Sequence, residues 1–166
     1  MSASVAKRIS PLRALAFAGA LAAASLLTAG TAAAEGNPVE GVDWDTATSS
    51  HKCADQSDQF RFRFYYNSNQ AGAWINIGHS VYDLKSVEIG GSGGGYQALY
   101  FCDKGNGAGQ YVANNAASAY NWFLGYCATV HYNSGYRGAE EHVYPNNGIN
   151  LTSTKNNNRS INFEAC

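Results

Sequence analysis

The sequence predicts an all-β protein made from a duplicated strand unit, and three observations carry that expectation. Phe60, Phe62, Phe64 and Tyr66 alternate with Arg61, Arg63 and Tyr65, the period-two pattern of a strand with one buried face. The strand breaks at Asn67-Ser68-Asn69 and resumes by Trp74, because Asn and Ser bend a chain by bonding its own backbone. The unit then returns. Tyr132-Asn133-Ser134-Gly135-Tyr136-Arg137-Gly138-Ala139, set against the eight residues from Tyr66, is identical at five positions: the Tyr, Asn, Ser, Gly and Ala. Such internal similarity points to repeated supersecondary units. The third observation is composition. All 11 Tyr lie beyond residue 34, among many Gly and Asn, and no amphipathic helix exceeds a turn or two; aromatic and turn-forming residues together describe many short strands.

Taken in order, residues 1–34 read as a secretory signal. Lys7, Arg8 and Arg13 form a basic start, 14–30 is apolar, and Ala32-Ala33-Ala34 offers a small-residue cleavage site. That three-part pattern marks export, with cleavage after Ala34. The apolar run is short and lacks a basic stop-transfer flank, so it does not read as an anchor. Removing it leaves eight basic against 12 acidic residues, a formal charge of −4. This is no nucleic-acid footprint, and no later stretch is long and apolar enough to span a bilayer. The remaining length suits one compact, monomeric domain.

Residues 35–59 are polar and aperiodic and read as a loosely held arm, anchored by Trp44 or Cys53. The first strand unit follows, then strand candidates at Trp74-Ile75-Asn76-Ile77, Val81-Tyr82-Asp83-Leu84 and 96–102. The glycine-rich run 90–95 reads as a flexible loop. The two units divide the domain at about 60–125 and 126–166. Cys53, Cys102, Cys127 and Cys166 are an even set in an exported chain, which implies two disulfides. Three pairings are open. Cys102 with Cys127, across the linker between repeats, and Cys53 with Cys166, across the ends, is the favoured one. There is no CxxC and no HExxH, so a zinc site on these thiols is disfavoured.

A second element also recurs. Asn114-Asn115-Ala116-Ala117-Ser118 and Asn156-Asn157-Asn158-Arg159-Ser160 share the form Asn-Asn-x-x-Ser, each after its own Tyr-Asn-Ser unit. The interval is longer in the first repeat, which therefore carries an insertion around 90–109. Side-chain amides, carbonyls and a hydroxyl are hard oxygen ligands suited to Ca²⁺. The same residues also make a good turn, with Asn tolerating left-handed angles and Ser capping an amide.

These paired elements resemble the βγ-crystallin superfamily. The Tyr-Asn-Ser…Gly units look like its Greek-key strand motif, and Asn-Asn-x-x-Ser looks like its calcium signature. The stretch YYNSNQAGAW, with the export signal and cysteines, is most similar to a secreted actinobacterial family of peptidase inhibitors typified by a metalloproteinase inhibitor. The resemblance implies a two-unit Greek-key sandwich. It implies weak Ca²⁺ binding by Asn114, Asn115, Ser118, Asn156, Asn157 and Ser160, and a secreted metalloproteinase as partner. The chain departs from the pattern at Gln70, where an aromatic is usual, and at Ala119 and Ile161, where the signature ends in Ser. No inhibitory loop is matched residue by residue; the insertion 90–109 is the candidate. No GxSxG elbow or phosphate loop is present, so the expectation is a non-enzymatic protein. A calcium-binding structural module and a killer-toxin-like antagonist are the other classes this fold allows.

Mass spectrometry of exported, non-reduced protein is expected to give a chain starting at Glu35 with no alkylatable thiol.

Overall fold

The computed structural model describes residues 36–39, 43–55, 57–90 and 93–166. The signal-like segment 1–34, Glu35, the side chain of Trp44 and residues 91–92 of the glycine run lie outside the described residues. Among the described residues nine strands follow a short helix α1, Asp43–Thr48, and a 3-10 turn, Ser50–Cys53. They are β1 Phe62–Asn67, β2 Ala71–Ile77, β3 Val87–Ile89, β4 Gly95–Gln97, β5 Ser118–Asn121, β6 Tyr126–Asn133, β7 Arg137–Val143, β8 Asn147–Asn150 and β9 Ser160–Ala165. The protein is all-β, as the alternation at 60–66 predicts.

The strands form two antiparallel sheets of the same plan. One has the order β2-β1-β5-β8. The other has the order β7-β6-β9 and gains a fourth member where Val81 bridges Ile161. In each sheet three strands come from one repeat and the outer fourth comes from the other. Val81 of the first repeat joins β9, and β8 of the second repeat joins β5. This is a sandwich of two interleaved Greek keys. The insertion in the first repeat folds into the small β3–β4 hairpin and an ordered loop after Phe101.

The two inner faces meet in one core. Phe62, Phe64, Ile75 and Ile77 of the first sheet are wholly buried, as are Val130 and Ile161 of the second. The rings of Phe62 and Phe64 meet edge to face at 4.9 Å, and Phe163 packs the same way against Phe62 and Phe123. Such edge contacts add to the area each ring buries. Trp74 is half-buried beside the core, whereas Trp122 stands on the outer face of the first sheet with Tyr120 stacked at 4.3 Å. Trp122 follows Asn121, the last residue of β5, and Asn121 pairs with the core residue Phe62; alternation therefore turns Trp122 outward.

The cysteine pairing is corrected. The cysteines pair as Cys53–Cys102 and Cys127–Cys166, not as Cys102–Cys127 and Cys53–Cys166. Sheet adjacency decides this: β6 and β9 are neighbours, so Tyr126 opposite Ala165 brings Cys127 beside Cys166. The arm has the anchor expected at Cys53, and more of its described residues are held than that one point. Thr46 and Ala47 are buried, Lys52 Nζ donates to the Ala47 carbonyl, and Cys53 is locked to Cys102.

Two carboxylates brace the sandwich. Asp83 accepts from Arg159 Nε at 2.6 Å and Nη2 at 3.0 Å, joining the repeats across 76 positions. Glu141 accepts from the amides of Thr152 and Thr154 at 2.8 Å each and from both hydroxyls. Burial alone raises each carboxyl. The hydrogen bonds outweigh it, from Arg159 and the Lys85 amide for Asp83 and from Thr154 and Thr152 for Glu141, and hold both below the ordinary carboxylate range. Their folded values are depressed, so their stabilisation is complete above the unfolded range of about pH 4 and is lost as pH falls through the folded values. Denaturant titrations over falling pH are expected to show this loss, and Asp83→Asn or Glu141→Gln to flatten it while lowering stability at neutral pH.

Candidate functional site

The two Asn-Asn-x-x-Ser turns have the same construction. Asn114 and Asn156 take left-handed backbone angles, φ 61° and 54°, which Asn tolerates better than most residues. Asn115 and Asn157 each donate Nδ2 to the carbonyl two residues back, at 3.4 and 3.2 Å. Ser118 Oγ donates to Asn67 O at 2.6 Å and accepts from Gln70 N at 3.0 Å. Ser160 Oγ donates to Asn133 O at 2.6 Å and accepts from Tyr136 N at 3.0 Å. Each serine therefore clips the hairpin of its own repeat. The glycine after each hairpin serves the same unit. Gly72 and Gly138 have φ 80° and 89°, and a Cβ on either would come within 2.8 Å of Nδ2 of Asn67 or Asn133. These contacts explain why Tyr-Asn-Ser…Gly and Asn-Asn-x-x-Ser recur together.

The six residues expected as calcium ligands are only partly gathered. Asn115 and Asn156 line one polar cleft beside the first hairpin, with Asn67, Ser68 and Lys155. Ser118 and Ser160 are wholly buried inside their clips. That leaves side-chain amide oxygens and backbone carbonyls to face the cleft, with Lys155 among its lining and no carboxylate in it. Among the described residues no group of three His, Cys, Asp or Glu is placed to hold a metal.

Asn158 is a residue that sequence reasoning passed over. It is wholly buried, donates Nδ2 to Val112 O at 3.1 Å and accepts at Oδ1 from Ala116 N at 3.1 Å. Its carbonyl accepts from Asn114 N at 2.8 Å. It thus ties one turn to the other. Its place in a variable position of the motif hid it; no pattern in one sequence separates a buried Asn from a turn Asn.

The more distinctive surface element is the loop from Cys102 to Gln110, the second half of the insertion. Residues 103–106 and 108–110 are exposed. The loop is nevertheless held throughout. Phe101 N donates to Gln110 O and Gly109 N to Phe101 O, closing its base at 2.9 and 3.0 Å. Cys102 N donates to Trp74 O at 2.9 Å, and Ala73 N donates to Asn106 O at 2.7 Å, which fastens the loop along β2. Gly107, at φ 90°, lies on the ring of Tyr66 so closely that a Cβ would fall 2.1 Å from it. Glycine here permits close packing rather than mobility.

Comparison with known proteins adds little beyond this geometry. No protein-family model matches the chain, and no curated protein matches it. Among solved structures it is similar to a chain reported under "Evolution of the eye lens beta-gamma-crystallin domain fold", at 12% identity over 65% of this chain and 88% of that one, with a TM-score of 0.44. The Greek-key assignment rests on the strand order and the exchanged strands.

Ser118→Ala and Ser160→Ala each remove two hydrogen bonds to part-buried hairpin backbone, so each is expected to cost about 1 kcal/mol. The loss, read by urea unfolding, is expected to be equal in chelator and in calcium. A loss confined to calcium-loaded protein would make the hydroxyl a ligand instead.

Proposed function

We propose that the chain is an exported, non-catalytic binding protein that inhibits a secreted peptidase, a metalloproteinase first, by presenting the Cys102–Gln110 loop to the active-site cleft. One observation carries this reading: the loop is exposed yet fastened at its base, along β2 and through the Cys53–Cys102 disulfide. A segment already ordered before it binds loses little conformational entropy on docking, so more of its contact energy appears as affinity. The two disulfides fit an oxidising compartment, in keeping with the signal-like segment 1–34. Among the described residues no helix is long and apolar enough to cross a membrane.

A second reading rests on the polar cleft at Asn115 and Asn156. Its neutral oxygens suit Ca²⁺, but with Lys155 present and no carboxylate, binding falls toward the millimolar range. Calcium would then support the fold, with the loop as a separate function.

The test is titration of purified secreted proteases with the mature protein. Ala108→Arg places bulk on an exposed loop position and is expected to raise the inhibition constant about tenfold or more, with an unchanged melting temperature. Replacing Cys53 and Cys102 together by Ser is expected to weaken inhibition as well, and to cost about 2–4 kcal/mol of stability. If the wild-type chain inhibits no protease of any class, the inhibitor reading falls.

A further inference from the structure

The outer face of the first sheet holds a guanidinium that no described acid balances. Arg63 stands on β1 opposite Asn76 on one side and Tyr120 on the other. Its guanidinium carbon lies 3.8 Å from the ring centroid of Trp74 and 5.2 Å from that of Trp122. Stacking of this kind favours Arg over Lys and fixes the plane of the fork. Nε donates to Asn76 Oδ1 at 2.7 Å, and Nη2 donates to Asp55 O at 2.7 Å and, more weakly, toward Ala54 O at 3.4 Å. All three acceptors are neutral. The other amide end of Asn76 is itself bonded to His51 O and Ala54 O, at 2.9 and 2.8 Å. The fork is therefore aimed by a buried, fully engaged neighbour.

Arg63 has five N–H donors, and its two on Nη1 meet no acceptor among the described residues. No carboxylate there lies in ion-pair range of it either. The carboxylate of Asp55 is turned outward, 81% exposed and 3.8 Å from Lys104. A partly desolvated cation without a counter-ion is a costly arrangement. Beside the fork a half-enclosed cavity of about 60 Å³ opens, lined by Arg63, Arg61 and Asn76 with Asp55, Ser57, Phe60 and Trp122. A single water needs about 10–15 Å³ of such space, so the cavity admits one small planar group and little more. Arg61 is held at its rim by a bond from Nε to Trp122 O at 3.2 Å, which adds a second positive charge. Asp55 shares the lining, with its carboxylate 3.8 Å from Lys104.

We propose that the pocket between Arg63, Arg61 and Trp122 binds a carboxylate, with the Nη1 edge of the Arg63 fork as its donor and the ring faces of Trp122 and Phe60 as its walls. A carboxylate oxygen can take the Nη1 donors in the plane of the guanidinium as a charge-assisted bond. A phosphate needs more donors around it and more room than the aromatic walls leave. The group is either a small free acid or the carboxylate of a polypeptide, at its end or on a side chain.

The experiment is a tryptophan-fluorescence titration of the exported protein, since Trp74 and Trp122 both report on the site. Sodium acetate is compared with acetamide and with sodium chloride at equal ionic strength. A saturable change with acetate alone is expected, reduced about tenfold or more in Arg63→Lys, which keeps the charge and loses the fork. If that variant fails to fold by circular dichroism, the acetate–acetamide contrast on the wild type still decides. Three short peptides then assign the source. Tighter binding of a free-carboxylate peptide than of its amide indicates a chain end, and tighter binding of an internal-Asp amide indicates a side chain. Acetate binding without peptide binding indicates a small acid. Identical responses to acetate, acetamide and chloride, with no peptide bound, overturn the proposal.

Discussion

The antiparallel bridge between Val81 and Ile161, with its counterpart between β5 and β8, is the contact on which both repeats depend, because neither repeat completes its own four-stranded sheet. An open strand edge carries unpaired amides and carbonyls, and each repeat covers the other's edge. The exchange also forces the inner faces together. Ile161 sits in the bridge and in the core at once, while Val81 is wholly buried beside it. The Asp83–Arg159 pair lies next to this bridge, and the Leu84 amide bonds the Arg159 carbonyl at 2.9 Å. The strand exchange is therefore secured by apolar packing, backbone pairing and one ion pair within a few residues.

Polar residues build much of this frame. Asn76, Asn121 and Asn158 are buried with their amides bonded to backbone groups. Asn121 alone joins Tyr126 O, Val143 O and Phe123 N, at 2.8, 2.9 and 3.0 Å. A fully satisfied buried amide specifies one arrangement, since any slip leaves a donor or acceptor unpaired. The residue types that suggest a metal site in the sequence are the same types that fold a chain with few helices and sharp hairpins. Asn and Ser bind hard cations and cap backbone amides by the same oxygen atoms.

The frame leaves two different surfaces free to act. At one edge of the first sheet the Cys102–Gln110 loop projects while bonded along β2. On that sheet's outer face Arg63 lies between indole rings above a small cavity. The Cys53–Cys102 disulfide links the two regions. It brings the 3-10 turn, and with it the carbonyls of Ala54 and Asp55 that hold Arg63, against the start of the loop. The 3-10 turn thus supports both surfaces.

Local pattern by itself determined the all-β class, the duplicated hairpin unit and the presence of two disulfides. Alternation, turn chemistry and an even cysteine count are properties of neighbouring residues or of simple number. The repeat of Tyr-Asn-Ser…Gly was legible because each copy solves the same local problem, a tight hairpin with a glycine against an Asn side chain. Tertiary structure alone decided which cysteines meet, because Cys127 reaches Cys166 only when β6 and β9 lie side by side. It decided that Ser118 and Ser160 face inward to hairpins 48 and 24 residues away in sequence. It decided that a glycine-rich loop is firm, since its restraint comes from β2 and Tyr66 rather than from its own residues. It also set Arg63 of β1 beside Trp74 of β2 and Trp122 just after β5, through pairings that no local pattern encodes. Such contacts join residues far apart in the chain, and their geometry exists only once both sheets have closed on one core.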